Sequence, residues 1–268
     1  MTLTIAFPNE KGGVAKTATC VNLAGCLVDQ GFRCLIVDLD PQGSAGEHLG
    51  VVASGEELLG ALLGDQHLED QVHTTKSGID LVPSGPQLQG LIEVSRRARE
   101  RLLERALAEL PGEQWDFIFL DCPARNDLLS DNALVAADVV LVPIECKNQS
   151  LTPLLRLLDT IVQIQGEFGS PKGILGIVPT RYRSVTNMSS DFVDALRAQF
   201  GATVFDTVIR ESTQVAEAPR KHLPVVAYAP QSLGALDYRQ LADEFLRRVE
   251  EISIEYRRES NGTRAATR

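Results

Sequence analysis

The sequence predicts an α/β fold: one domain with a mainly parallel, twisted sheet and helices on both faces. Three observations carry that expectation. Apolar, β-branched runs alternate along the chain with segments of helical period. Most of those runs lack the polar alternation of a half-exposed strand, which marks strands covered on both sides. Strand, helix, strand, repeated this often, favours parallel pairing.

In chain order the strand segments are LTIAFP (Leu3 to Pro8), CLIVDLD (Cys34 to Asp40), IDLVPS (Ile79 to Ser84), DFIFLDCP (Asp116 to Pro123), DVVLVPI (Asp138 to Ile144) and GILGIVPT (Gly173 to Thr180). After the first comes KTATCVNLAGCLVDQG, an apolar-faced helix that stops at Gly31. Leu151, Leu154, Leu155, Leu158, Ile161 and Val162 keep the i, i+3, i+4 rhythm of a second helix. Met188, Phe192, Leu196 and Phe200 mark a third, and Leu233, Leu236, Leu241, Phe245, Val249 and Ile252 a last one. The domain is expected to span residues 1–256. RRESNGTRAATR, without apolar period, predicts a disordered tail over 257–268.

Composition fits that picture. The chain has 268 residues, 44% hydrophobic and 23% charged, enough for one core without disulfides or metals. No stretch approaches the ~20 apolar residues of a membrane span, and the N-terminus lacks a basic region and a cleavage-like site, so the expected location is cytoplasmic, with no membrane partner. The five cysteines, odd in number and without C-x-x-C spacing, read as buried thiols. Net charge is −10, which argues against a broad nucleic-acid surface. From Arg210 onward, however, ten basic residues stand against nine acids, compared with 16 against 27 before it. A DNA contact would therefore come from a local patch late in the chain.

The stretch NEKGGVAKTA (Asn9 to Ala18) carries the lysine and threonine of a phosphate-gripping loop, but Glu10 and Ala15 replace both glycines of G-x-x-x-x-G-K-[ST]. It follows a buried strand and opens a helix, as such a loop must. Gly12 and Gly13 let backbone approach a polyphosphate, and the amides of Val14, Ala15, Lys16, Thr17 and Ala18 gather at a helix N-terminus that favours anions. Lys16 would sit on the β- and γ-phosphates and Thr17 would offer its hydroxyl to Mg²⁺. Asp121 ends FIFLD, where a carboxylate holds Mg²⁺ in such sheets, and Asp38 and Asp40 end LIVDLD at the same edge. Acids at strand ends also serve as plain helix caps; three such elements together favour the nucleotide reading.

These motifs resemble the ParA/MinD group of P-loop NTPases with a deviant Walker loop, and within it the ParA partition ATPases. KGGVAKTA matches the loop K-G-G-V-G-K-T-T, DLDPQG matches D-x-D-P-Q-G in full, DCPA matches D-x-P-P, and VAEAPRKHLPVV looks like S-E-A-P-x-x-x-x-P-V. The resemblance covers nearly the whole chain. It implies ATP and Mg²⁺ as cofactors, and a homodimer that sandwiches two ATP molecules, with Lys11 reaching the nucleotide of the other subunit. It further implies that Lys16 clamps the phosphates, Asp40 orients or deprotonates the attacking water, Asp121 and Thr17 hold Mg²⁺, and Asp38 supports the switch loop. Non-specific DNA and a ParB-like stimulating partner follow, with nucleoid association; the candidate DNA contacts are Arg210, Arg220, Lys221 and Arg239. Scattered solvated charges are the competing reading of those four. The stretch SRRARERLLERAL (Ser95 to Leu107) reads as a salt-bridged solvent face.

Three positions depart from the family pattern. Ala15 would cost on the order of 1–2 kcal/mol if its φ is positive. Ala18 loses a threonine hydroxyl, worth roughly 1 kcal/mol, and Ala124 replaces a proline. No charged group is lost, so ATP binding is expected to persist and hydrolysis to be slow. Residues around Pro179 to Arg181 and Ile209 to Ser212 are the expected base-side contacts. The C-terminal stretch lacks the apolar anchors of a MinD-type membrane helix, and no cysteine pair suits an iron–sulfur cluster. A relative that positions some other cargo, such as a carboxysome, stays open, as does a small-molecule enzyme.

Overall fold

Six strands form where the apolar runs lie. The computed structural model describes residues 2–9, 11–94, 99–125, 127–185 and 187–266, of which Asn148 and 253–266 by backbone alone. Its strands are β1 (Leu3–Phe7), β2 (Cys34–Asp38), β3 (His73–Thr74), β4 (Asp80–Val82), β5 (Phe117–Asp121), β6 (Val139–Glu145) and β7 (Gly173–Thr180). They join in one sheet ordered β3-β4-β2-β5-β1-β6-β7, parallel except for the antiparallel edge pair β3 and β4. The two-residue β3 is too short to leave a periodic signal, and the sequence did not announce it.

Helices cover both faces: α1 (Lys16–Asp29), α2 (Ser44–Leu49), α3 (Glu56–Leu63), α4 (Leu102–Ala108), α5 (Leu128–Ala136), α6 (Leu151–Phe168), α7 (Asn187–Phe200), α8 (Thr213–Glu217), α9 (Val225–Tyr228) and α10 (Leu233–Ala266). Neighbouring strand residues feed opposite cores, which is why the runs show no polar alternation. Ile5, Phe7, Ile36, Phe117 and Phe119 pack with α1 and α10, where Phe245 lies 5.3 Å from Phe117 in an edge-on ring pair. Ala6, Leu35, Val37, Ile118 and Leu120 pack with α3 to α7 on the other face. All five cysteines are free and buried.

One expectation is corrected. α10 runs on to Ala266, through most of the segment expected to be a disordered tail over 257–268. Extending a helix from an anchored base needs only one hydrogen bond per residue fixed, so it outlasts the apolar rhythm that ends at Ile252. The basic stretch after Val94 lies partly outside the described residues, at 95–98; beyond it, Arg101 pairs with Glu104 at 2.7 Å, as the charge interleaving predicts. No helix among the described residues is long and apolar enough to cross a membrane.

Because β1 lies between β5 and β6, with β2 beyond β5, the carboxyl ends of these strands open onto one edge. Ligands of open α/β sheets bind at that edge. The loops after β1, β2, β5 and β7 converge there.

Candidate nucleotide site

The loop between β1 and α1 turns on left-handed backbone. Gly13 has φ 78°, and Ala15, at the N-cap of α1, has φ 66° and ψ 31°. An alanine in that region costs roughly 1–2 kcal/mol that a glycine does not. Ala15→Gly is therefore expected to raise the melting temperature by about 2–4 °C, read by thermal denaturation, and a fall would contradict the account. Nothing stands within 4 Å of the position a Cβ would take on Gly12 or Gly13, so the loop leaves room for a ligand against its backbone. The resulting cavity, about 520 Å³, is lined by Gly12 through Ala18, Asp40, Arg181 and the turn from Ile209 to Ser212.

The loop is tied down from below. Asn9 donates its side-chain amide to Pro143 O at 2.6 Å and accepts the Lys11 amide at 2.9 Å. The Thr180 hydroxyl lies 3.0 Å from both Val14 O and Ile144 O and shares its proton between them. Lys16 is 7% exposed and donates to Asn9 O at 3.2 Å. Burial lowers its pKa, and the charges of Asp121 and Asp40 restore part of the loss. A buried ammonium with one weak partner is suited to a polyphosphate.

Three acids at this edge of the sheet stand in different environments. Asp38 and Asp121 are side by side in the sheet register, both fully buried. Asp38 accepts three backbone amides, from Asp40 at 3.0 Å, Ala45 at 2.9 Å and Gly46 at 3.3 Å. Burial and the neighbouring Asp121 push its carboxyl up. Both oxygens of Asp121 lack a hydrogen-bond partner. Burial raises its pKa to about 7, while the Thr17 hydroxyl and Lys16 favour its charged form. A buried carboxylate with two orphaned oxygens beside a threonine hydroxyl and a lysine fits a Mg²⁺ ion held together with phosphate oxygens. Asp40 is only part-buried, and its carboxylate accepts one hydrogen bond, from the Gln42 amide at 3.0 Å. Of the three, Asp40 alone lines the cavity, with one carboxylate oxygen outside any hydrogen bond to the described residues.

A phosphate cradle with these acids suits nucleotide hydrolysis, and comparison with known proteins narrows it. A family profile described as an AAA domain matches residues 2–171. The chromosome-partitioning ATPase Soj of Thermus thermophilus is 39% identical over 247 residues, covering 92% of this chain and 96% of that one. The chromosome partitioning protein ParA of Caulobacter vibrioides is 34% identical over 250 residues, covering 91% and 94%. The chain belongs to the ParA family of ATPases. Among solved structures, the cobyrinic acid a,c-diamide synthase of Mycobacterium smegmatis with bound ADP and magnesium superposes with a TM-score of 0.81 at 33% identity, covering 93% of this chain and 96% of that one.

For a ParA family member, the position of Lys11 is informative. Its side chain is 33% exposed, next in the chain to Gly12, where the cavity lining begins, and Nζ lies 3.2 Å from Glu145 Oε2. Glu145 also takes Lys147 at 2.7 Å and Arg181 at 3.6 Å. Burial pushes the Glu145 carboxyl up, but hydrogen bonds from Lys147 and Lys11 outweigh it and hold it below the usual range. The sequence reading missed Glu145; its only signal was an acid directly ending VVLVPIE. Glu10, in the first glycine slot, lies outside the described residues.

Of the expected base-side residues, Arg181 and the turn from Ile209 to Ser212 line the cavity, whereas the carbonyl of Pro179 accepts the Ile209 amide at 2.8 Å. The candidate DNA contacts divide. Arg220 and Lys221 are exposed, and Arg239, half-buried, donates to Pro230 O at 2.6 Å. Arg210 is held differently: its guanidinium grips Asp237 through both Nε and Nη2, which ties it to α10.

His48, at the end of α2, also escaped the sequence reading. It is 3% exposed, and its Nε2 lies 3.2 Å from Leu223 O. Burial lowers its pKa to about 4 from 6.5, opposed by the bond to Leu223 O and helped by His222. Between those values the unfolded chain binds the extra proton, so stability rises with pH across that window. As pH falls from about 6.5 to 4, His48 is expected to remove up to about 3 kcal/mol. Denaturant titrations at several pH values should show that slope, and His48→Gln should lack it.

Proposed function

We propose that this ParA family ATPase partitions DNA. It dimerises with two ATP molecules enclosed between two subunits, holds DNA without sequence preference in that state, and is stimulated to hydrolyse by a ParB-like partner, working in the cytoplasm on the nucleoid. The observation that carries the reading is the pair of lysines on one loop. Lys16 is buried in the loop and donates to Asn9 O, while the part-exposed Lys11 pairs with Glu145 and leaves the phosphate role to Lys16, which supports a role for Lys11 at a nucleotide other than its own.

In this reading the amides from Gly12 to Ala18 and Lys16 hold the phosphates, with Thr17 and Asp121 holding Mg²⁺. Mg²⁺ neutralises charge on the phosphate oxygens when bound. Asp40 orients the attacking water and takes its proton, and Asp38 fixes the loop that carries Asp40. Lys11 of the second subunit adds positive charge where the phosphoryl group separates. Exposed Arg220 and Lys221, with Arg239, supply the phosphate contacts to DNA.

Fluorescence anisotropy of a random-sequence duplex tests this. Binding is expected with Mg-ATP and not with Mg-ADP, with log K falling linearly as log salt rises. Arg220→Glu with Lys221→Glu should abolish it at unchanged ATPase activity. An ATP dimer that ignores DNA would move the reading to a cargo other than a replicon, such as a carboxysome. The solved relative named as a diamide synthase favours one further reading, a small-molecule enzyme. A tight non-nucleotide ligand together with absent DNA binding would establish it.

A further inference from the structure

The turn that carries Arg220 and Lys221 is fastened by two histidines to α2, the helix that follows the loop carrying Asp40. α2 begins directly after Gly43, at the end of the Asp40 loop, and the amides of Ala45 and Gly46 donate to Asp38 at the start of that loop. At its other end, His48 Nε2 lies 3.2 Å from Leu223 O. The contact is returned: His222 Nδ1 lies 3.1 Å from Glu47 O. Both acceptors are carbonyls, so Nε2 of His48 and Nδ1 of His222 carry the protons. Each segment lends one histidine to the backbone of the other.

The residue type at 222 is itself unusual. His222 closes the 3-10 turn Ala218–Lys221 at φ 56°, where glycine would be unstrained. What histidine adds there is the bond to Glu47 O. A Cβ built on Gly50 would stand 2.9 Å from His222 Cγ, so the ring is packed against the end of α2 as well as bonded to it. The same segment is pinned to α1, since Val225 N donates to Asn22 Oδ1 at 2.6 Å. The basic turn is thus bonded to the helices that follow both nucleotide loops. Packed seams of this kind shift between discrete arrangements rather than deform smoothly.

We infer that His48 and His222 are positioning residues that clamp the basic turn to α2, so that the affinity of Arg220 and Lys221 for a nucleic-acid backbone follows the state of the Asp40 loop. This rests on the proposed DNA contact, but the clamp itself does not. Two hydrogen bonds of ordinary strength limit such coupling to about 5- to 150-fold in affinity.

The test uses the full chain and three forms: wild type, His222→Gly, which relieves the left-handed strain, and His48→Gln, which keeps an N–H donor. Hydrogen exchange is compared for residues 44–50 and 218–229 with Mg-ADP and with a non-hydrolysable Mg-ATP analogue. Anisotropy gives the ratio of DNA affinities in the same two states. In wild type both segments should change protection together. In His222→Gly the change at 44–50 should persist, the change at 218–229 should shrink, and the DNA ratio should fall at least about 5-fold with basal ATPase unchanged. His48→Gln should keep most of the coupling. A wild-type turn that ignores the nucleotide, or a His222→Gly protein with wild-type exchange and ratio, overturns the clamp. If exchange behaves as stated but wild type binds no DNA, the clamp stands and the DNA reading fails.

Discussion

Asp40→Ala is expected to lower ATP turnover about 10²- to 10⁴-fold, the usual contribution of a positioned general base, while ATP still binds. The three acids at the edge of the sheet give the reason. Asp38 has both oxygens committed to backbone amides and cannot take a proton from water without releasing α2. Asp121 is fully buried and suits the metal. The Asp40 carboxylate accepts one hydrogen bond, from Gln42, and Asp40 lines the cavity. Single-turnover measurements should show loss of the chemical step, and equilibrium titration should show a Kd within about threefold of wild type, since the alanine removes no phosphate contact. Turnover at the wild-type rate would remove Asp40 from catalysis.

Lys11→Ala is expected to abolish measurable hydrolysis, a loss on the order of 10³-fold or more, which is the range for a cation supplied across an interface. The fold should tolerate it. The Lys11 to Glu145 pair is part-exposed, and Glu145 keeps Lys147 at 2.7 Å, so stability should change by less than about 1 kcal/mol. Mixing separates the two active-site roles. Lys11→Ala and Asp40→Ala each lack activity alone, but in a mixed dimer one composite site receives both an intact Asp40 and an intact Lys11 from the opposite subunit. Activity regained on mixing is the expected result; if Lys11 acted within its own subunit, each subunit would carry one defect and no activity would return.

Much of this was legible in the sequence because buried parallel strands write themselves as unbroken apolar runs, and strand-end acids and a glycine pair then fall on one edge. All six expected strands form within the apolar runs, and the residues from Gly12 to Ala18 line a cavity at their edge. What escaped depends on contacts between distant residues. Nothing local marks Glu145 as the partner of Lys11, 134 positions away, or His48 as the partner of Leu223, 175 positions away. The ion pair of Arg210 was hidden for the same reason, since its partner Asp237 lies in α10, 27 positions away. The departure at Ala15 was visible as a residue, but only the backbone revealed its positive φ.

The central claim is that Lys11 and ATP join two copies of this chain. Light scattering on Asp40→Ala tests it most directly, because slow turnover preserves the ATP state during the measurement. With Mg-ATP the mass should double from the 29.2 kDa of one chain, and with Mg-ADP it should stay at one chain, as should Lys11→Ala/Asp40→Ala in either nucleotide if Lys11 seals the sandwich. A protein that binds Mg-ATP and keeps the mass of a single chain would contradict the account.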